Sequence, residues 1–247
     1  MVLLPRAARN EGTQRMDRPD RARRPMRRRG IERVNLLLDA TERLLDQNSN
    51  EDISLAQIAE AAGVPLPSVY HFFPNRNAAF EALAVRFGEE IYRRSILPLR
   101  DPEPQSWQEL LDRKHAAGAA FQNSRPAALR LFLGAGVSVA IRNADFSSNR
   151  RIAISRVRFF DAYFHLPVLE DFASHLEIAA AASDGIWALS YGRHGHITDA
   201  LRREATAATV AYLRRFLPEH LPRKPLTEAA LAAVAIPADG PLPAARG

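Results

Sequence analysis

Cysteine is absent from the 247 residues. That excludes a disulfide framework, a thiolate metal site and a cysteine nucleophile. No apolar run approaches the ~18 residues that would suggest a membrane span, so no membrane contact is expected. There is no glycine-rich phosphate loop and no Gly-x-Ser-x-Gly elbow, so neither a catalytic constellation nor a cofactor is expected. The opening Met1-Val2-Leu3-Leu4-Pro5 is too short for a secretory signal core and precedes its charges. The expected address is therefore the cytoplasm. Alternating strand patterns and internal repeats are also missing, which leaves an all-α class.

What the sequence does have is arginine, placed unevenly. Only two of the 34 basic residues are lysines, Lys114 and Lys224. Residues 1–29 hold ten arginines against Glu11, Asp17 and Asp20, a net charge of +7, whereas the whole chain carries +6. The body is thus near neutral and the front is a basic arm. Such an arm suits a polyanion, either nucleic acid or an acidic membrane surface.

Four zones follow from composition and apolar period. Residues 1–27 lack apolar period and read as a disordered basic arm. Residues 28–94 hold four short helical patterns, residues 95–222 hold longer ones, and 223–247 form a Pro- and Ala-rich tail with one short helix near Leu226–Val234. In the second zone Ile31, Val34, Leu37, Leu38, Thr41, Leu44 and Leu45 make one helical stripe. Asn48-Ser49-Asn50 signals its end. Ser54 and Gln57 form a capping box that opens a second helix. Gly63 supplies a turn, a very short helix covers about Pro67–Phe72, and Asn75 caps a fourth helix.

Ile53 to Phe73 therefore reads as a helix-turn-helix. Ala59 must be small where the helices cross, Gly63 can take a left-handed backbone, and Val64 and Val69 must be apolar to lock the second helix on the first. Ser68, Tyr70 and His71 occupy outward positions able to hydrogen-bond phosphate or base edges. Phe72 and Phe73 suit the core better than base stacking. The run Gly63-Val-Pro-Leu-Pro-Ser-Val-Tyr-His-Phe-Phe-Pro-Asn-Arg76 closely resembles the signature of the TetR family of regulators, over about residues 30–92.

The resemblance implies a three-helix DNA-binding unit, a connecting helix, and a helical ligand-binding and dimerisation domain. It further implies a repressor released from a palindromic operator on double-stranded DNA by a small-molecule effector. Carried onto this chain, Ser68, Tyr70 and His71 face DNA, and Arg76 stands where the family usually has a phosphate-binding lysine. Two departures matter. The family commonly has Ser or Thr at the place of Pro65 and a polar residue at that of Leu66. Leu66 can touch a thymine methyl or simply pack. Arg28 and Arg29, just before the first helix, can reach phosphate or the minor groove.

In the C-terminal half, helices are expected at Ser106–Gln122, Pro126–Leu133, about Asn149–His165, Leu169–Tyr191 and Ile197–Leu217. The last two resemble the family's dimer-forming pair, with small residues from Ala179 to Gly185, so a homodimer is expected. Phe121, Phe132, Phe160, Tyr163 and Trp187, with His175 as a polar anchor, are candidate ligand-binding residues and favour an apolar or aromatic effector. His115 and Asp184 are further polar residues among apolar neighbours. An alternative class is a helical enzyme or metal-binding protein with an incidental helix-turn-helix. Its one hint is His194-Gly195-His196 near Asp199, with no further ligand at a diagnostic spacing, so no metal site is expected.

Overall fold

A computed structural model describes residues 28–47, 53–134 and 138–235. The expected basic arm at 1–27, the break at Asn48–Asn50 and the end of the tail beyond 235 lie outside them. Among the described residues ten helices follow in order: α1 (Arg28–Gln47), α2 (Leu55–Ala62), α3 (Leu66–Phe72), α4 (Arg76–Ser95), α5 (Trp107–Asn123), α6 (Pro126–Leu133), α7 (Val139–Tyr163), α8 (Phe172–His194), α9 (Asp199–Leu213) and α10 (Glu228–Val234). Among the described residues no strand forms, and a single antiparallel bridge pairs Phe164 with Arg223. None of these helices is long and apolar enough to cross a membrane. The class is all-α, as the apolar periods require.

Two cores hold the helices. The first joins α1–α4 to α6 and the end of α8 through Leu37, Ile58, Val69, Leu83, Phe87 and Phe132. The second joins α5, α7, α8 and α9 through Trp107, Leu110, Phe159, Phe160, Leu176 and Leu213. Helix ends follow local chemistry. Pro126 opens α6 in its first turn, where no amide partner is needed. Thr198 Oγ1 caps α9 by accepting from Leu201 N at 3.3 Å.

One element departs from expectation. Helix α7 starts ten residues earlier than Asn149, capped by Ser138. Its first turns hide Ile141 but turn Asp145 and Ser148 inward and leave Val139 and Phe146 exposed, so no apolar stripe marks them. The short helix expected near Leu226–Val234 forms as α10, and it packs down on the second core. Leu231 and Val234 are buried, and Val234 joins the second core beside α7.

Candidate nucleic-acid interface and ligand cavity

The helix-turn-helix is assembled by reciprocal caps and three apolar contacts. Ser54 Oγ accepts from Gln57 N at 3.2 Å, and Gln57 Oε1 accepts from Ser54 N at 2.8 Å. These bonds satisfy amides that the helix itself cannot. Gly63 then takes φ +63°, the left-handed region that glycine enters without a Cβ penalty. Its amide donates to Glu60 O, and that of Val64 to Ala59 O. Ala59, Val64 and Val69 are buried and clamp α3 against α2.

Pro65 gives α3 no side-chain cap, but its carbonyl accepts from Ser68 N at 2.8 Å. With Val69 inward, helical phase turns Tyr70 and His71 out. Tyr70 is 56% exposed, which rules out a core role for its ring. Ser68 is half-buried beside them. Arg76 begins α4 and is exposed, next to Asn75, whose Oδ1 caps Ala78 N at 3.0 Å. Amides at a helix start favour an anion there. Arg28 and Arg29 are exposed at the head of α1, and Arg28 Nε donates to Glu32 at 2.9 Å. That solvated pair is worth little and leaves the arginine able to exchange partners.

Helices α4 to α8 enclose a cavity of about 280 Å³. Ile91, Phe121, Phe132, Leu133, Ile152 and Trp187 supply its apolar wall. The same wall carries Lys114, His115, Asp145, Asn149, Arg156 and Asp184. Burial pushes the Lys114 ammonium down to about 6, with Arg156 and Arg113 adding repulsion. Lys114 Nζ donates to Ser95 O at 2.8 Å and Leu97 O at 2.6 Å. Burial likewise holds His115 down to about 3, so it is neutral. His115 Nδ1 lies 3.0 Å from Thr206 Oγ1, which is itself 3.2 Å from Arg202 O, so the neutral ring is held in a hydrogen-bonded chain.

Across the cavity burial raises the carboxyls. Asp145 is lifted to about 6, with Arg142 opposing, and Asp184 to about 7, by burial and then by Asp145. Asn149 Nδ2 donates to Asp184 Oδ2 at 2.8 Å, which works against that rise.

Residues 37–83 match the family model of the N-terminal domain of bacterial regulatory proteins of the tetR family. The helix-turn-helix domain belongs to the TetR family. The fold of the chain is shared with solved structures. A TetR-family transcriptional regulator from Streptomyces coelicolor superposes with a TM-score of 0.57 at 22% identity, over 75% of this chain and 99% of that one. A TetR transcriptional regulator from Rhodococcus sp. RHA1 does so with 0.55 at 18% identity, over 74% and 96%. No curated protein matches the chain in sequence. A TetR-type domain assigns the chain to DNA-binding regulators of transcription.

Within this TetR-type frame the sequence-derived residues separate. Ser68, Tyr70, His71 and Arg76 lie close together around α3 and the start of α4. Leu66 is half-buried and packs on the first core, which accounts for its apolar side chain without a base contact. Phe73 is buried and Phe72 packs on the same core.

Of the candidate ligand-binding residues, Phe121, Phe132 and Trp187 line the cavity. Phe160, Tyr163 and His175 do not line it. Phe160 sits edge-on to Phe172 at 5.3 Å in the second core. Tyr163 OH donates to Leu99 O and accepts from Leu99 N, both at 2.9 Å, and so pins the α4–α5 connection. His175 stacks on Phe216 at 3.7 Å and bonds Tyr212 OH at 3.2 Å. Sequence reading missed Lys114, Asp145 and Arg156. The available signal was a lysine in helical phase with Leu110 and Leu111 on α5 and the i, i+4, i+7, i+11 spacing of Asp145, Asn149, Ile152 and Arg156. His194 and His196 form no metal cluster: the His196 ring bonds the His194 carbonyl at 3.0 Å, and no group of three ligating side chains occurs among the described residues.

Proposed function

We propose that this protein is a homodimeric repressor that grips a palindromic operator through Ser68, Tyr70, His71 and Arg76, and lets go when a small molecule with an apolar or aromatic body enters the cavity. The observation that carries this reading is the reach of α4. Its 20 residues span about 30 Å at 1.5 Å per residue. Arg76 stands at one end beside the recognition helix, and Ile91, Arg94 and Ser95 form cavity wall at the other. A ligand that moves the far end of this rod changes where the near end holds α3. It must bind the DNA-incompetent arrangement better, or it shifts nothing.

The dimer reading rests on α8 and α9. Ile178, Ala181, Ala182, Gly185 and Leu189 form one exposed, largely small-residue stripe on α8, while Ala179 and Ser183 face inward. Exposed Ala207 and Ala211 on α9 offer similar surface. A two-fold axis through these helices presents two TetR-type heads to two half-sites. The cationic arm adds salt-sensitive affinity.

The deciding experiment is selection of bound fragments from random duplex DNA with the purified full chain at near-physiological salt. A recovered palindrome supports the dimeric reading and supplies the operator. Binding without enrichment that vanishes as salt rises rejects it.

A further inference from the structure

The wall chemistry of the cavity says more than its size. Gln122 Oε1, Arg156 Nε, Ser183 Oγ and Trp187 Nε1 are buried polar atoms without a hydrogen-bond partner, and all four residues line the cavity. Native interiors leave few such atoms unpaired, and each costs stability unless something satisfies it. Arg156 is the sharpest case. Its Nε is buried without a hydrogen-bond partner, and burial lowers the guanidinium pKa to about 10. A buried guanidinium without an anion is unfavourable, and its fork matches a carboxylate.

The charges are also sorted along the cavity. On α7, Asp145 and Asn149 stand at one end with Asp184 of α8 against them. Arg156, seven residues after Asn149, stands with Lys114 at the other. At 1.5 Å per residue that separation is about 10 Å. Phe121, Phe132 and Trp187 lie on the same wall, and the Trp187 ring comes close enough to Gly118 that an added Cβ there would meet Cη2 at 3.2 Å. An apolar body thus fits beside a cationic pole.

We infer that the cavity takes an amphipathic organic acid, whose carboxylate docks on Arg156 near Lys114 while its aromatic or aliphatic body lies against Phe121, Phe132 and Trp187. This rests on the reading of the cavity as the effector site, and it names the chemistry of that effector. An entering carboxylate pairs the buried guanidinium and holds Lys114, otherwise near neutrality at physiological pH, in its charged form. The acidic pole at Asp145 and Asp184 excludes a second anionic group and accepts a donor such as a hydroxyl.

The test is calorimetric titration of the full chain with four probes of one shape: 4-phenylbutyrate, its methyl ester, 4-phenylbutanol and 4-phenylbutylamine. Trp187 fluorescence reports entry to the cavity. The acid is expected to bind at least about tenfold tighter than the alcohol. Arg156→Met should erase that preference while leaving the alcohol within about twofold, and Arg156→Lys should restore part of it. Removing a buried guanidinium with an unsatisfied Nε does not threaten the fold, so Arg156→Met is expected to remain folded. Equal binding of ester, alcohol and acid, or tightest binding of the amine, overturns the acid assignment while leaving the cavity as a ligand site. Failure of all four, with Trp187 emission unmoved, overturns both.

Discussion

Arg125, the residue before α6, donates to Glu42 of α1 across 2.8 Å. Its other terminal nitrogen meets Glu90 of α4 at 2.9 Å, and its guanidinium lies 5.3 Å from the centre of the Phe121 ring. Glu42 also accepts from Arg86 at 2.6 Å. One side chain therefore ties the first helix of the TetR-type domain, the connecting helix and the cavity wall. These groups are only partly exposed, so solvent screens them incompletely. Arg125→Met is expected to cost about 1–2 kcal/mol, visible as a fall of a few degrees in calorimetric Tm. It should also shrink the ratio of operator affinities without and with bound effector. An unchanged ratio beside a lowered Tm would show that this bridge stabilises but does not couple.

The exposed face of α3 makes a second prediction. Tyr70→Phe removes one hydroxyl without disturbing Val69 beneath it, and should weaken operator binding by about 0.5–1.5 kcal/mol. Arg76→Ala should weaken binding to specific and random duplexes alike and lower the slope of log K against log salt by about one. Binding titrations at several salt concentrations measure both. If neither variant differs from the parent, α3 and the start of α4 are not the contact surface.

How much of this was legible beforehand depends on whether the chemistry is local. Ser54 with Gln57, Gly63, Asn75 and Pro126 each act on their own few residues, and each marks its helix end where sequence placed it. Helix α3 could be placed because Val69 must face in, and that fixes Tyr70 facing out. The cavity is different. Phe121 and Phe160 have the same composition signature, yet they fall in different layers, because the phase of α5 against α7 is set only by packing. Asp145, Asp184, Lys114 and Arg156 come from three helices and meet only through tertiary structure. A polar inward face also hid the start of α7, since the apolar period that marks a helix is missing where the helix lines a polar cavity.

Gly63 gives a prediction in which sterics and backbone separate. A Cβ built there meets nothing within 4 Å, yet φ is +63°. Gly63→Ala should therefore cost about 1–2 kcal/mol from the left-handed backbone alone. The loss should appear in thermal unfolding with no change in α2–α3 packing as seen by amide exchange. Gly63→Asn, which tolerates that region better, should recover part of it. A cost as large for Asn as for Ala would mean that something other than φ demands glycine.

Asp184 links the cavity to pH. Its carboxyl is raised from 3.8 to about 7, by burial first and Asp145 second. Below about pH 4 both folded and unfolded chains hold this proton, and the group contributes nothing. As pH rises from 4 to 7 the unfolded chain releases the proton while the folded chain keeps it, so stability falls, and above 7 the loss is complete. Asp184→Asn cannot ionise and can still present an amide oxygen to Asn149. Its gain in stability over the parent should therefore be near zero at pH 4, grow up to pH 7 and level off beyond. The plateau is bounded at about 4 kcal/mol, with hydration of the cavity lowering it. Asp199 supplies the opposite sign, because its hydrogen bond from Arg202 lowers its pKa. Asp199→Asn should lose stability at neutral pH and match the parent only under acid conditions. Denaturant titrations of both variants from about pH 2 to 8 measure the two slopes, that of Asp184 between pH 4 and 7 and that of Asp199 below about pH 4. A pH-independent gain for Asp184→Asn would mean that the carboxylate is already satisfied in the folded chain, and that the acidic pole of the cavity is not under charge stress.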